Sequence, residues 1–213
     1  MGAKTIDFWF TMGSTYTSLS VARIDNVAKA AGVLVRWRPF RNVAALTGVK
    51  QLPFIEGTAK LQYMWRDIER RAGKYGLPVR LPAPYPVPSS AQANRVALLG
   101  MQEGWGSAYV RAAYRNWFEQ GLGNGGEDNL RASLTEVGQS QDIDRILSMA
   151  HSAPLDRALD LATDEARNLG VFGSPTFAVE TELFWGDDHL EDAILWACQG
   201  SLAADPAAML RNF

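Results

Sequence analysis

A hydroxyl-rich stretch near the N-terminus is the first candidate for chemistry. Residues 11–18 separate an apolar run, which predicts a strand, from a pattern that predicts a helix. The first N–H groups of a helix have no partner within it, and the helix dipole is positive there. This position therefore stabilises an anion such as a phosphate, carboxylate or thiolate. Ser14 is the candidate centre, and the alternative is that Ser14 only caps the helix.

A second candidate lies at Gly173–Thr176, where a helical pattern meets a predicted strand. A proline that directly precedes a strand is often cis, which turns the chain and exposes the main chain before it. The N–H and C=O groups of Ser174 could then pair with a peptide-like ligand, as an added strand does. The alternative is an ordinary trans turn at Pro175.

A third candidate follows the last predicted strand, where Asp187 and Asp188 open the final helical pattern. Acidic side chains at this place either cap the helix or bind the ammonium group of a ligand. We expect His189 and His151 to be surface residues, and with one cysteine they do not form the ligand set of a structural zinc site. A serine hydrolase remains an alternative, which needs a histidine within hydrogen-bond reach of Ser14.

The spacing of apolar residues predicts the elements that position these candidates. Residues 4–10 and 33–38 predict strands and residues 18–31 a helix, which together form a parallel βαβ unit. Residues 41–58 show no regular pattern, and a helix ending at Gly76 follows them. Further helices are predicted at 90–103, 106–121, 131–138, 141–151 and 155–169, strands at Thr176–Glu180 and Leu183–Trp185, and a last helix at 188–200. This order predicts an α/β fold whose small mixed sheet is interrupted by helices.

The composition excludes several classes of protein. The 213 residues are 47% hydrophobic and carry a net charge of −2, so we expect a substantial core and no nucleic-acid partner. No apolar run reaches the length of a membrane-spanning helix, so no membrane partner is expected. The first residues lack the regions of a signal peptide, and the single Cys198 excludes both a disulfide framework and a CxxC redox pair. A reduced, cytoplasmic setting is therefore expected.

Several motifs, which follow one another in a fixed order, are similar to those of one family. They are Asp7–Phe10 with Ser14–Thr17, Trp37–Phe40, Tyr75–Pro78, Gly170–Phe177 and Phe184–Asp188. The chain resembles the 2-hydroxychromene-2-carboxylate isomerases and the related kappa-class glutathione transferases, within the DsbA-like branch of thioredoxin folds. The motifs extend over nearly the whole chain.

The resemblance implies a thioredoxin-like mixed sheet interrupted by an all-helical insertion. Residues 1–75 and 165–213 would form the thioredoxin-like domain, and residues 76–164 the insertion. It also implies glutathione as cofactor, an aromatic or hydrophobic electrophile as substrate, and a homodimer. Ser14 would contact the glutathione sulfur. The other implied contacts are Tyr16, Ser174, Pro175, Asp187 and Asp188 for glutathione, and Lys50, Tyr85 and Trp185 for the substrate.

Besides the serine hydrolase, three functions stay open at this stage. In an isomerase the glutathione thiolate adds reversibly and is released again, whereas in a transferase it stays bonded to the electrophile. Thr15 and Ser18 stand where the family usually has proline and tyrosine. This departure favours, as a third possibility, a thioredoxin-fold ligand-binding protein without catalysis.

Overall fold

The sheet has four strands, and its first half is the predicted βαβ unit. The computed structural model describes residues 4–49 and 54–202. Strand β1 spans Thr5–Phe10, helix α1 spans Thr17–Ala30, and strand β2 spans Leu34–Pro39. β1 and β2 are parallel, and in their register Asp7 lies opposite Arg36, whose guanidinium donates to both carboxylate oxygens at 2.7 and 2.8 Å.

The second half of the sheet comes from the C-terminal part of the chain. Strand β3 spans Thr176–Val179 and strand β4 spans Glu182–Trp185. β3 is antiparallel to both β1 and β4, which gives the strand order β2-β1-β3-β4. The mixed α/β sheet predicted from the sequence is confirmed. The β1 side chains Phe8 and Phe10 are fully buried. Phe8 stacks on Phe177 of the neighbouring strand β3, at 5.4 Å between ring centroids.

Two helices follow the βαβ unit. The sequence predicts no regular structure over residues 41–58, but helix α2 forms at Val43–Thr47. Asn42 caps it by accepting a hydrogen bond from the Ala45 N–H, and a helix of five residues is too short to show a period. Helix α3 spans Ala59–Tyr75, with Thr58 as its cap.

The interrupting segment is helical in every element that the structure describes. Its helices are α4 at Ser90–Glu103, α5 at Gly106–Phe118, α6 at Glu127–Glu136, α7 at Ile143–Ala150 and α8 at Ala153–Leu169. α5 ends three residues earlier than predicted and α6 begins four residues earlier. The proposed boundary between residues 164 and 165 falls within α8, which packs against α4 and β2.

The last helix begins later than the sequence predicts. Asp187–His189 form a single 3₁₀ turn, and helix α9 spans Leu190–Gln199. α9 packs against α1 and the sheet. In the described part of the chain, no helix has the length and the apolar character needed to cross a membrane.

Candidate functional site

Ser14 does not cap α1. The helix begins at Thr17, and its capping residue is Tyr16, which makes no side-chain cap hydrogen bond. Ser14 lies three residues before the helix in a turn that its own N–H closes on the Thr11 carbonyl at 3.1 Å. Its hydroxyl donates instead to the carbonyl oxygen of Ser174 at 2.8 Å. The first two candidate stretches therefore meet in space.

The loop at Ser174 has the predicted cis geometry and is tied to the start of α1. The Ser174–Pro175 peptide bond is cis. The Ser174 hydroxyl accepts a hydrogen bond from the Thr11 N–H at 3.0 Å and lies 2.8 Å from the Thr17 hydroxyl. Within residues 4–49 and 54–202, the Ser174 N–H has no hydrogen-bond partner. Next to Ser14, the loop thus presents one main-chain donor that a ligand could use.

Asp187 has a different environment from the one that the sequence suggests. Its side chain is 2% exposed, and Arg71 donates to one carboxylate oxygen from Nη2 at 2.6 Å and from Nε at 3.0 Å. The other oxygen accepts from Ser20 at 3.2 Å and from Arg23 at 3.3 Å. Both oxygens thus already accept hydrogen bonds from groups of this chain, and the contact of Asp187 with a ligand ammonium group stays a prediction.

The charge balance at Asp187 explains why this buried pair is tolerated. Burial opposes the charged form of Arg71, but the hydrogen bonds and charge of Asp187 outweigh it and raise the pKa of Arg71. Glu191 also pairs with Arg23. Asp188, in contrast, is exposed, and its one ion pair within residues 4–49 and 54–202 is a 3.6 Å contact with His189. Of the two adjacent acids, only Asp188 is exposed and could meet a ligand without breaking a buried ion pair.

An aromatic cluster lies beside the turn of Ser14. The rings of Tyr16 and Phe54 are 6.2 Å apart, those of Phe54 and Tyr85 are 6.4 Å apart, and those of Tyr85 and Trp65 are 6.2 Å apart. The Tyr16 hydroxyl donates to Asp67 at 3.1 Å, and burial together with the Asp67 charge raises the pKa of Tyr16. Two predicted site residues, Tyr16 and Tyr85, thus belong to one apolar surface.

Trp185, a predicted substrate contact, lies against the main chain that leads into Ser174. It is 53% exposed and packs on Phe172 at 5.1 Å between ring centroids. A Cβ atom at Gly173 would lie 2.2 Å from the indole nitrogen of Trp185, so the indole rests directly on the main chain before Ser174. Lys50, which the sequence also suggests for the substrate, lies outside the described residues.

Three polar residues of the insertion hold the Ser14 turn, and the sequence analysis did not select them. Asn94 accepts from the Met12 N–H at 2.7 Å, and Asn124 donates to the Met12 carbonyl at 2.9 Å. Tyr114 donates to the Thr11 and Ser14 carbonyls at 3.0 and 3.2 Å. All three side chains are buried. An asparagine among small apolar residues on one helix face, as at Asn94, is the only signal that could have identified one of them.

The histidines take no part in the Ser14 environment. Both are exposed, and neither hydrogen-bonds to the Ser14 hydroxyl, whose partner is the Ser174 carbonyl. The serine hydrolase alternative therefore lacks its base. Among residues 4–49 and 54–202, no group of histidine, cysteine, aspartate and glutamate side chains could hold a metal ion.

The fold and the cis-proline loop beside a helix start define a class of protein. The model of the DSBA-like thioredoxin domain family matches residues 5–193, and the chain belongs to this family. The resemblance and fold class inferred from the sequence are thereby confirmed.

Among its relatives is a 2-hydroxychromene-2-carboxylate isomerase from Sphingobium xenophagum, 29% identical over 192 residues, which cover 88% of this chain and 95% of that protein. A protein of the same name from Pseudomonas putida is 28% identical over 194 residues, or 87% and 90% of the two chains.

Solved structures agree with these relatives. The structure of a 2-hydroxychromene-2-carboxylate isomerase superposes with a TM-score of 0.77 at 25% identity, covering 92% of this chain and 97% of that one. The cytosolic disulfide reductase DsbM from Pseudomonas aeruginosa, solved with GSH, has a TM-score of 0.64 at 18% identity and covers 97% and 99% of the two chains. The second likeness concerns the fold alone.

Proposed function

We propose that this protein is a glutathione-dependent isomerase of the 2-hydroxychromene-2-carboxylate isomerase type. The relatives and the solved structure of that name support the reaction class. The observation that carries the proposal is the hydrogen bond between the Ser14 hydroxyl and the Ser174 carbonyl at 2.8 Å, beside cis-Pro175. It brings a hydroxyl donor together with a main-chain segment that could pair with a peptide, near the start of α1.

The position of the single cysteine supports a thiol that comes from a cofactor. Cys198 lies at the far end of α1, where its sulfur is 3.8 Å from the Ala31 carbonyl. The 14 residues of α1 separate it from Ser14 by roughly 20 Å of helix. Cys198 therefore cannot act at Ser14. When bound, glutathione would supply the thiol that adds reversibly to the electrophile and is eliminated again.

The residues at the site fit the cysteinyl part of glutathione. Among the described residues, the Ser174 N–H has no hydrogen-bond partner, and the Ser174 carbonyl accepts a hydrogen bond only from the rotatable Ser14 hydroxyl. Both groups could pair with a peptide unit, as an added strand would. Asp188, not Asp187, is the carboxylate that could meet an ammonium group, because Asp187 is already paired with Arg23 and Arg71.

The residues of this chain would then act in three ways. Ser14 would donate a hydrogen bond from its hydroxyl to the sulfur, and the start of α1 would add its positive dipole, so the charged form of the thiol is favoured. The aromatic cluster of Tyr16, Phe54, Trp65 and Tyr85 would pack against the aromatic part of the substrate. These rings also exclude water from the side of the site on which they lie.

Calorimetry and a rate assay on the full chain test this proposal. We expect millimolar or tighter glutathione binding, and isomerisation of 2-hydroxychromene-2-carboxylate only when glutathione is present. Ser14→Ala removes one donor to the charged sulfur and is expected to lower the rate about 100-fold. Ser148→Ala, on the exposed surface of α7, is the matched control and keeps the parent rate. The proposal fails if glutathione does not bind at millimolar concentration, or if Ser14→Ala behaves like the parent.

The free thiol concentration separates the isomerase from the alternative transferase. An isomerase returns all glutathione, whereas a transferase consumes one thiol for each electrophile. Ligand binding without any turnover would instead support the non-catalytic alternative. We also propose that the 23.4 kDa chain forms a homodimer. Sedimentation velocity tests this, because a species of the single-chain mass would contradict it.

A further inference from the structure

The hydroxyl group of Tyr114 contacts the turn that carries Ser14, although Tyr114 belongs to α5 of the insertion. Its oxygen lies 3.0 Å from the Thr11 carbonyl and 3.2 Å from the Ser14 carbonyl. The Ser14 N–H closes the same turn on the Thr11 carbonyl. One phenolic proton, shared between two acceptors, thus joins both ends of the turn to the insertion.

This contact matters because the Ser14 hydroxyl has only one proton to donate. In this structure the Ser14 hydroxyl donates its hydrogen bond to the Ser174 carbonyl, and that hydrogen bond is one of those that hold the turn. When Ser14 donates to a ligand instead, this link is broken. The hydrogen bond from Tyr114 goes to main-chain oxygens and does not use the Ser14 hydroxyl, so it persists.

We propose that Tyr114 is a positioning residue for Ser14, which keeps the turn in place while the Ser14 hydroxyl changes its partner. The part of this inference that concerns a ligand rests on the proposed function. The part that concerns the turn does not, because the hydrogen bonds are present without a ligand.

The burial of Tyr114 suits this role. The side chain is 3% exposed and stacks on Trp117 at 5.7 Å between ring centroids, which fixes the position of the ring. Burial raises the pKa of Tyr114, so its hydroxyl keeps the proton and remains a donor at neutral pH.

Tyr109 provides a matched control on the same helix. It is also fully buried in α5, but its hydroxyl has no hydrogen-bond partner among the described residues. Tyr109→Phe and Tyr114→Phe therefore remove the same atom from the same helix. Only Tyr114→Phe breaks a contact with the Ser14 turn.

Amide hydrogen exchange of the ligand-free protein is the decisive measurement. Loss of one buried hydrogen bond at the turn is expected to speed exchange of the Ser14 amide about tenfold in Tyr114→Phe. In Tyr109→Phe the Ser14 amide should exchange as in the parent. A Tyr114→Phe protein with a lowered melting temperature but parent-like exchange at Ser14 would overturn the proposal, since Tyr114 would then be structural only.

A titration of bound glutathione tests the link to Ser14. We expect Tyr114→Phe to raise the pKa of the bound thiol, read from the ultraviolet absorbance of the thiolate, and to add little to the effect of Ser14→Ala. Additive effects of the two changes would overturn the action through Ser14. If no glutathione binds at all, the proposed function fails, while the exchange result still decides the role of Tyr114 in the turn.

A second variant covers the case in which Tyr114→Phe does not fold. Incorporation of 3-fluorotyrosine at position 114 keeps the ring and the hydroxyl but makes the hydroxyl a stronger donor. Slower exchange of the Ser14 amide is then expected. Unchanged exchange in this variant would count against the proposal in the same way.

Discussion

Replacing Asp187 by Asn removes the negative charge that lies between Arg23 and Arg71. The substitution keeps the shape of the side chain, so its main effect is electrostatic. Asp187 is 2% exposed and accepts two hydrogen bonds from Arg71 at 2.6 and 3.0 Å. Breaking a buried ion pair by removing one partner costs about 3–5 kcal/mol, because the remaining charges stay buried without compensation.

The partial exposure of Arg71 reduces the cost, since water can approach its guanidinium. Its side chain is 22% exposed and that of Arg23 is 11% exposed, so we expect a loss at the lower end, about 3 kcal/mol. If the free energy of unfolding falls by about 3 kcal/mol per molar urea, this loss lowers the urea concentration at the unfolding midpoint by about 1 M.

Asp25→Asn is the matched control for this experiment. Asp25 pairs with Arg111 on the surface, where its side chain is 48% exposed. A surface pair contributes about 0–1 kcal/mol, so the same substitution should hardly move the midpoint. Urea unfolding of the three proteins gives the comparison. If Asp187→Asn is as stable as Asp25→Asn but loses glutathione binding, the buried ion pair does not hold Asp187, and the ligand contact expected from the sequence is restored.

Two further predictions concern the surroundings of the site. Gly173→Ala places a Cβ atom 2.2 Å from the Trp185 indole nitrogen, so the indole must move. We expect the NMR resonance of the Trp185 indole N–H to shift. Gly73→Ala, whose Cβ meets no atom within 4 Å, is the control and should leave this resonance unchanged. Hydrogen bonds from Arg41 hold the pKa of Asp156 below its ordinary value. This carboxylate therefore stabilises the fold at pH values above that ordinary pKa and loses the effect as the pH falls through the folded-state pKa. The unfolding free energy of Asp156→Asn, measured at pH 7 and pH 3, should therefore fall less on acidification than that of the parent, and an equal fall would contradict the assignment.

The sequence predicted those parts of the fold that depend on short-range patterns. The βαβ unit follows from alternating and helical spacing within 35 residues. A proline placed directly before a strand suggested the cis bond at Ser174–Pro175, but a trans turn fitted the same pattern, and the structure decided between them. Helix α2 was not predicted because its five residues are too few to show a helical period. The boundary of α9 was missed because the 3₁₀ turn at Asp187–His189 has no distinct sequence pattern.

The support of the site could not be predicted in the same way. Asn94, Tyr114 and Asn124 contact residues that lie 82, 100 and 112 positions away. The spacing of apolar residues along the chain does not indicate such contacts, because they depend on how the insertion docks on the sheet. The same holds for Asp187, whose partner Arg71 is 116 positions away. Its residue type suggested a ligand contact, and only the docked helix α3 showed an internal partner.

The hydrogen bond from Ser14 to Ser174 also bears on which thiols the proposed function would allow. When a thiol accepts the hydrogen bond from the Ser14 hydroxyl, the Ser174 carbonyl loses that donor. A peptide thiol can replace that donor with its own N–H, whereas a simple alkyl thiol cannot. An unpaired carbonyl in a part-buried place costs about 1–3 kcal/mol, which corresponds to about 5- to 150-fold weaker binding. If the proposed function holds, we expect this hydrogen bond to make the protein select thiols that carry a peptide backbone.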